Sequence, residues 1–244
     1  MNGGRDQAAP GGAGHRQSAE RRVDPLGHGP SMTMRGAPVT LAVILLCCAI
    51  EIAIMLNLAS RDALVAGYAF LIGYDGAVVA PSLDMTLLTH AALHGGLLHI
   101  GFNMAALAAF GPPPERSMGS PAYLATFLAA AIAGALAHFG WVYALEAAGF
   151  PPPRGVMPLV GASGAISGVL ALEFYRRYLF LRMARSRFAD GPSPIGYLTK
   201  MSLLFVGLNL AISILPGFIS GQAHIGGYLA GLALAPLFMR RPRP

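Results

Sequence analysis

Charge is what this chain has least of. Only 11% of its 244 residues are Asp, Glu, Lys or Arg, about half the share of an ordinary soluble domain, which excludes a water-facing globular protein. Cysteine is nearly absent too. Cys47 and Cys48 are the two present, adjacent in an apolar run, where neither readily reaches a partner with disulfide geometry. No disulfide framework is implied.

What fills the chain is apolar residues, at 55%. Windows long enough to cross a bilayer, roughly 20 residues each, recur along it. The expectation is one all-α polytopic membrane domain with six transmembrane helices in a bundle. A net charge of +6 raises the question of nucleic acid, but the basic residues flank apolar spans instead of forming a patch interleaved with aromatics. The partner they predict is the lipid bilayer, with no nucleic acid.

Residues 1–36 are rich in Gly, Pro, Arg and Ala and have little to bury, which predicts a flexible basic tail. A cleaved signal peptide fits poorly, because the apolar run starts late and no clear small-residue cleavage site follows it. The membrane domain is expected over 37–239, with spans at about 38–59, 97–110, 123–145, 160–180, 197–215 and 223–239, followed by a basic terminus at 240–244. The second window is short unless "LLTHAALHGG" contributes, and Gly95-Gly96 predicts a helix start or break there. Arg16, Arg21, Arg22 and Arg35, the terminal "RRPRP" and the Arg176 to Arg187 cluster all fall on one side of a six-span topology. The opposite loops carry only Arg61 and Arg154, so both termini are placed in the cytoplasm.

Polar groups inside apolar spans are costly and therefore informative. His90, His94, His99, His138 and His224 lie in or beside the spans. His99 and Asn103 stand four apart and share a helix face. His90 and His94 share a face as well; helical advance places them well away from His99, at the helix mouth before Gly95-Gly96. The second, fourth and sixth spans all run inwards from the outer side. His99 with Asn103, Ser163 and His224 each sit near the start of one, roughly 10 Å below the surface at about 1.5 Å per residue.

That set offers a nucleophile, a base and hydrogen-bond donors. Serine needs a neighbouring base, a role open to His224. His99, Asn103 and the Ser163 backbone N–H can stabilise a developing oxyanion. No Asp or Glu lies at that depth on these three spans to orient His224, which makes a dyad more natural than a triad. Gly164 and Gly168, and likewise Gly227 and Gly231, are four apart, a spacing that lets helices approach closely.

Plainer readings stand beside these. A serine in a membrane helix commonly bonds back to a carbonyl one turn earlier, which applies to Ser163 and to Ser167 in "LVGASGAISGVL". Asn103 can serve as interhelical glue. His138 has no evident partner. Glu51, inside the first span, must be protonated, paired or facing a polar cavity. Intramembrane histidines also suit a haem or ion-conducting protein.

Three segments taken together, "HGGLLHIGFNM" from His94, "GASG" from Gly161 and "AHIGGYLAG" from Ala223, resemble the rhomboid family of intramembrane serine proteases. The resemblance extends over all six spans and includes the turn "FGPPPERSMG" with Glu115 and Gly119. It implies that Ser163 is the nucleophile and His224 the base, and that His99 and Asn103 are oxyanion donors. His94 would support the site, and Gly161 would permit close backbone approach. The implied substrates are single transmembrane segments of other proteins, cut near their outer ends, with no metal or organic cofactor. The arginine-rich flanks point to a bacterial inner membrane, and the span directions to a site opening outwards.

Two positions depart from the family pattern. Met85 and Thr86 stand where many relatives have Trp-Arg, which puts loop anchoring by that arginine in doubt. Ser167 stands where an aromatic often packs on the catalytic imidazole. These departures leave an alternative, a catalytically inactive rhomboid-like binder of transmembrane helices.

Overall fold

The computed structural model describes residues 34–74, 79–81, 83–150, 155–187, 193–213 and 220–239. The expected basic tail, apart from its last residues, and the terminus at 240–244 lie outside the described residues. In chain order the elements are α1 (Pro38–Met55), α2 (Arg61–Tyr68), β1 (Phe70–Tyr74), β2 (Val79–Pro81) and α3 (Thr86–Thr89), the last running into a 3-10 turn at His90–Ala92. They continue with α4 (Leu97–Phe110), α5 (Pro112–Met118), α6 (Ser120–Ala147), β3 (Gly155–Leu159), α7 (Ser163–Arg187), α8 (Pro194–Ser213) and α9 (Gly221–Phe238). The architecture is helical, and each of the six apolar windows contains one of the longer helices.

Among the described residues three helices, α1, α6 and α8, are long and apolar enough to cross a membrane. A fourth span results if α3 with its 3-10 turn and α4 are one broken unit, bent by 97°. The break falls at Gly95-Gly96, where Gly96 has φ +148°, a conformation that L side chains rarely adopt. α7 carries Glu173, Arg176 and Arg177, and α9 carries Gln222 and His224. These polar residues keep both helices below the apolarity of the other three.

Glycine determines how α6, α7 and α9 meet. A Cβ on Gly227 would collide with the Gly164 carbonyl, and one on Gly231 would lie 2.6 Å from Gly168 Cα. The two four-residue glycine spacings therefore face each other, bringing the backbones of α7 and α9 into contact. α6 closes the third side, where a Cβ on Gly134 would lie 2.9 Å from the Ala223 carbonyl. Tyr123, Phe127, Ala131, Ala165, Val169 and Leu172 extend the core between α6 and α7.

Glu115, in the turn carried by α5, pins α1 to this core. Its carboxylate accepts from Val39 N at 2.8 Å, Thr40 N at 2.9 Å, Thr40 Oγ1 at 2.7 Å and Ser120 Oγ at 2.8 Å. Two of these donors are backbone N–H groups from the first turn of α1, which have no partner within the helix. Burial alone would push the carboxyl up, but the donors together outweigh it and hold Glu115 below the ordinary carboxylate range.

The small antiparallel sheet was not expected from helical periodicity. Its order is β2-β1-β3, with Phe70 opposite Leu159 and Tyr74 opposite Gly155. "FLIGY" and "GVMPL" are too short for spans, and β1 buries Phe70 and Ile72 with Ala135 and Val142 of α6. β3 thereby delivers the chain to Gly161 at a fixed point. If this glycine contact organises the core, Gly227→Ala should lower stability by about 1–3 kcal/mol through overpacking. Gly101→Ala, where a Cβ meets nothing within 4 Å, should be neutral or gain up to about 1 kcal/mol of helix propensity. Unfolding midpoints in detergent micelles would compare the two; equal effects would contradict the packing account.

Candidate active site

Ser163 is the first residue of α7, at the end of a helix where backbone N–H groups lack intrahelical acceptors and the dipole favours negative charge. The turn before it is held in place by Gly161, at φ +115°, whose N–H donates to the His90 carbonyl at 2.9 Å. One turn into α7, the Ser167 hydroxyl donates to the Ser163 carbonyl at 2.7 Å. Ser167 is thus the back-bonded structural serine, and the two serines have different surroundings.

His99 and Asn103 lie on the buried side of α4, against this turn. A Cβ on Gly161 would fall 2.7 Å from His99 Nε2 and 3.6 Å from Asn103 Nδ2. Only glycine leaves room for both side chains. The Gly95 N–H donates to His99 Nδ1 at 3.2 Å, so the ring hydrogen of neutral His99 belongs on Nε2, the atom beside Gly161. Asn103 Nδ2 is buried with no hydrogen-bond partner in the protein. Two N–H donors from one helix therefore flank the backbone just before Ser163.

His94 is buried, with neither ring nitrogen bonded to protein, and its ring packs edge-on against His99 with centroids 5.2 Å apart. The expectation that His94 lies well away from His99 is corrected here. Helical advance does not carry through Gly95-Gly96, and the 97° bend folds the two rings together. His90 sits in the 3-10 turn, with Nδ1 2.9 Å from the Thr86 carbonyl.

His224 lies in the first turns of α9, beside Ala223, whose carbonyl meets Gly134 and Gly164. Since Gly164 follows Ser163 and Ala223 precedes His224, the glycine contact brings the serine and the histidine to one level of the bundle. His224 Nδ1 is 2.7 Å from Asn209 Oδ1 on α8. His138 is bonded after all, with Nδ1 2.7 Å from Ser220 Oγ and 3.0 Å from Gln222 Nε2. It ties α6 to the start of α9.

Glu51 is paired. Arg61, opening α2, bonds Glu51 Oε1 at 2.7 Å, reaches Oε2 at 3.4 Å and also donates to the His94 carbonyl. An arginine twenty-odd residues before Met85 and Thr86 thus ties α1 to the His94 backbone. Sequence reasoning missed both Arg61 and Asn209. For Asn209 the available signal was a lone amide within an apolar window; for Arg61 it was a lone cation near an intramembrane carboxylate. Among the described residues no group of three or more His, Cys, Asp or Glu side chains could hold a metal ion.

This arrangement of a helix-terminal serine, an imidazole and unpartnered donors can be set against known proteins. The rhomboid family profile, described as a rhomboid domain, matches residues 84–241. The chain belongs to the rhomboid family. Among curated relatives, it is 30% identical to Rhomboid protease GluP of Bacillus subtilis over 165 residues, covering 66% of this chain and 27% of that protein. It is likewise 30% identical to Rhomboid-type serine protease 2 of Emericella nidulans over 163 residues, covering 67% of this chain and 28% of that one. The chain thus spans little more than a quarter of the length of the relatives it matches.

A rhomboid with this Glu51–Arg61 pair should be sensitive to losing one partner alone. Arg61→Met, which leaves the buried Glu51 carboxylate uncompensated, should cost about 3 kcal/mol; Glu51→Leu, which leaves the partly exposed Arg61, should cost less, and the double variant should recover much of the Arg61→Met loss. A double-mutant cycle on thermal unfolding would check this, with simple additivity counting against the pairing.

Proposed function

We propose that this rhomboid is a six-span intramembrane serine endopeptidase that cuts transmembrane segments of other membrane proteins near their outer ends. In this reading α7 and α9 are the fourth and sixth spans and the bent α3–α4 unit supplies the second. The protein lies in a bacterial inner membrane, with both termini cytoplasmic and the site opening outwards. One observation carries it: Gly164 against Ala223 sets Ser163 and His224 at one level, while the His99 and Asn103 donors flank the adjoining turn.

Chemically, Ser163 Oγ attacks the scissile carbonyl and its proton passes to His224 Nε2. Oxyanion charge is met by Asn103 Nδ2–H, His99 Nε2–H and the backbone N–H at the start of α7. The protonated His224 then gives its proton to the leaving amine, and water completes hydrolysis of the acyl-enzyme. Gly161 keeps the donors near the nucleophile. His94, packed on His99, supports that wall. The substrate segment must unwind to expose its peptide bond, because a helix in lipid satisfies its own backbone groups. Helix-weakening and small residues at the cut are therefore favoured.

Cleavage of a labelled transmembrane substrate in micelles tests the assignment. Ser163→Ala and His224→Ala should each abolish turnover, and a fluorophosphonate should label wild-type Ser163. Full cleavage by Ser163→Ala would refute the protease reading. Absence of any adduct on a folded wild-type protein would favour the noncatalytic binder, which Ser167 in place of an aromatic otherwise suggests.

Asn103→Ala should lower kcat by about 10²-fold with KM little changed, as for loss of one oxyanion donor. Activity should also fall as pH drops through the pKa of His224 in the free enzyme, since only the neutral imidazole accepts the serine proton. A kcat/KM profile flat into the acid range, with chemistry rate-limiting, would contradict His224 as the base.

A further inference from the structure

We propose that Asn209 is a positioning residue for His224: its side-chain carbonyl accepts the imidazole Nδ1–H and so leaves Nε2 as the basic nitrogen. This inference rests on the reading of Ser163 and His224 as the reacting pair.

α8 is the most peripheral of the long helices, and Asn209 is its one buried residue among those described. A helix whose other described residues are all at least partly exposed thus fully buries one side chain, and that side chain is an amide. Both ends of the amide are used. Nδ2 donates to the Phe205 carbonyl at 2.9 Å, and Oδ1 lies 2.7 Å from His224 Nδ1. Reversing the amide would set its oxygen against the Phe205 carbonyl, two acceptors facing each other, so the first bond settles which end His224 meets. Facing a carbonyl oxygen, Nδ1 must carry the hydrogen.

Contacts around the pair hold α8 to α9 at this level. Ser213 Oγ lies 2.7 Å from the Asn209 backbone carbonyl and 3.0 Å from Gln222 Oε1. Gly221 allows the start of α9 to reach the same carbonyl, where a Cβ would collide. Farther along, Ser202 and Tyr228 hydroxyls are 2.7 Å apart, and Phe205 stacks on Tyr228 with centroids at 4.5 Å. The amide is therefore held in register and does not sample the imidazole from a loose helix.

A neutral amide orients an imidazole without adding charge, whereas a carboxylate in the same place would also stabilise the imidazolium. Other titratable groups at this level are His99 from α4, which interacts electrostatically with His224, and His138 from α6. Glu146 lies two turns beyond His138, Glu173, Arg176 and Arg177 of α7 and Lys200 of α8 are toward the opposite face, and α9 has no charged side chain. A charge introduced at position 209 would thus be the nearest to the ring.

The test uses the full chain in micelles with a fluorogenic transmembrane substrate. Asn209→Leu should lower kcat by about 10²-fold with KM nearly unchanged, and should slow fluorophosphonate labelling of Ser163 in parallel. Asn209→Asp should keep cleaving, with the acid limb of its kcat/KM profile moved up by about one pH unit or more. A purely structural role would leave that limb in place. Wild-type kcat in folded Asn209→Leu, or an unmoved acid limb in Asn209→Asp, would overturn the inference. Should Asn209→Leu fail to fold, the Asn209→Asp profile decides alone. Cleavage surviving in Ser163→Ala would instead defeat the reading beneath it, and with it this one.

Discussion

Everything in the site depends on two helix backbones touching. α7 and α9 approach through Gly164, Gly168, Gly227 and Gly231, with Gly134 of α6 closing over Ala223. In lipid, apolar side chains gain little by leaving one apolar solvent for another, so close van der Waals contact and buried hydrogen bonds must hold helices together. Removing every Cβ from the contact serves that end. It also sets Ser163, just before Gly164, and His224, just after Ala223, into one layer.

Polar groups then occupy that layer in an orderly way. Most of the buried polar side chains are satisfied locally: Ser167 on the Ser163 carbonyl, His138 on Ser220 and Gln222, Glu51 on Arg61, Glu115 on the first turn of α1. Among the described residues, Asn103 Nδ2 and the His94 ring are the exceptions. A buried donor without a partner costs stability, and both exceptions sit where the family reading needs groups ready for a bound peptide.

The sequence was legible where a single helix decides the matter. The six apolar windows, the Gly95-Gly96 break, the shared face of His99 and Asn103 and the back-bonding reading of a serine all follow from local periodicity. What was hidden depended on contacts between elements. Helical counting separated His94 from His99 because it could not see a bend of 97°. The partner of His224 is neither a carboxylate nor on an inward-running span: an amide fifteen residues earlier on α8 meets it only through helix packing. β1 and β3 are too short to stand out against the apolar background, and they pair only through the tertiary fold.

The bond from Gly161 N–H to the His90 carbonyl has a mechanical consequence. It fastens the connection entering α7 to the bent segment entering α4, so the turn before Ser163 and the segment leading to His99 and Asn103 are coupled by a short backbone strut. Relative drift between them is resisted by a main-chain contact that depends on Gly161 keeping its N–H and its positive φ. The alignment of these two segments is therefore written partly into the main chain.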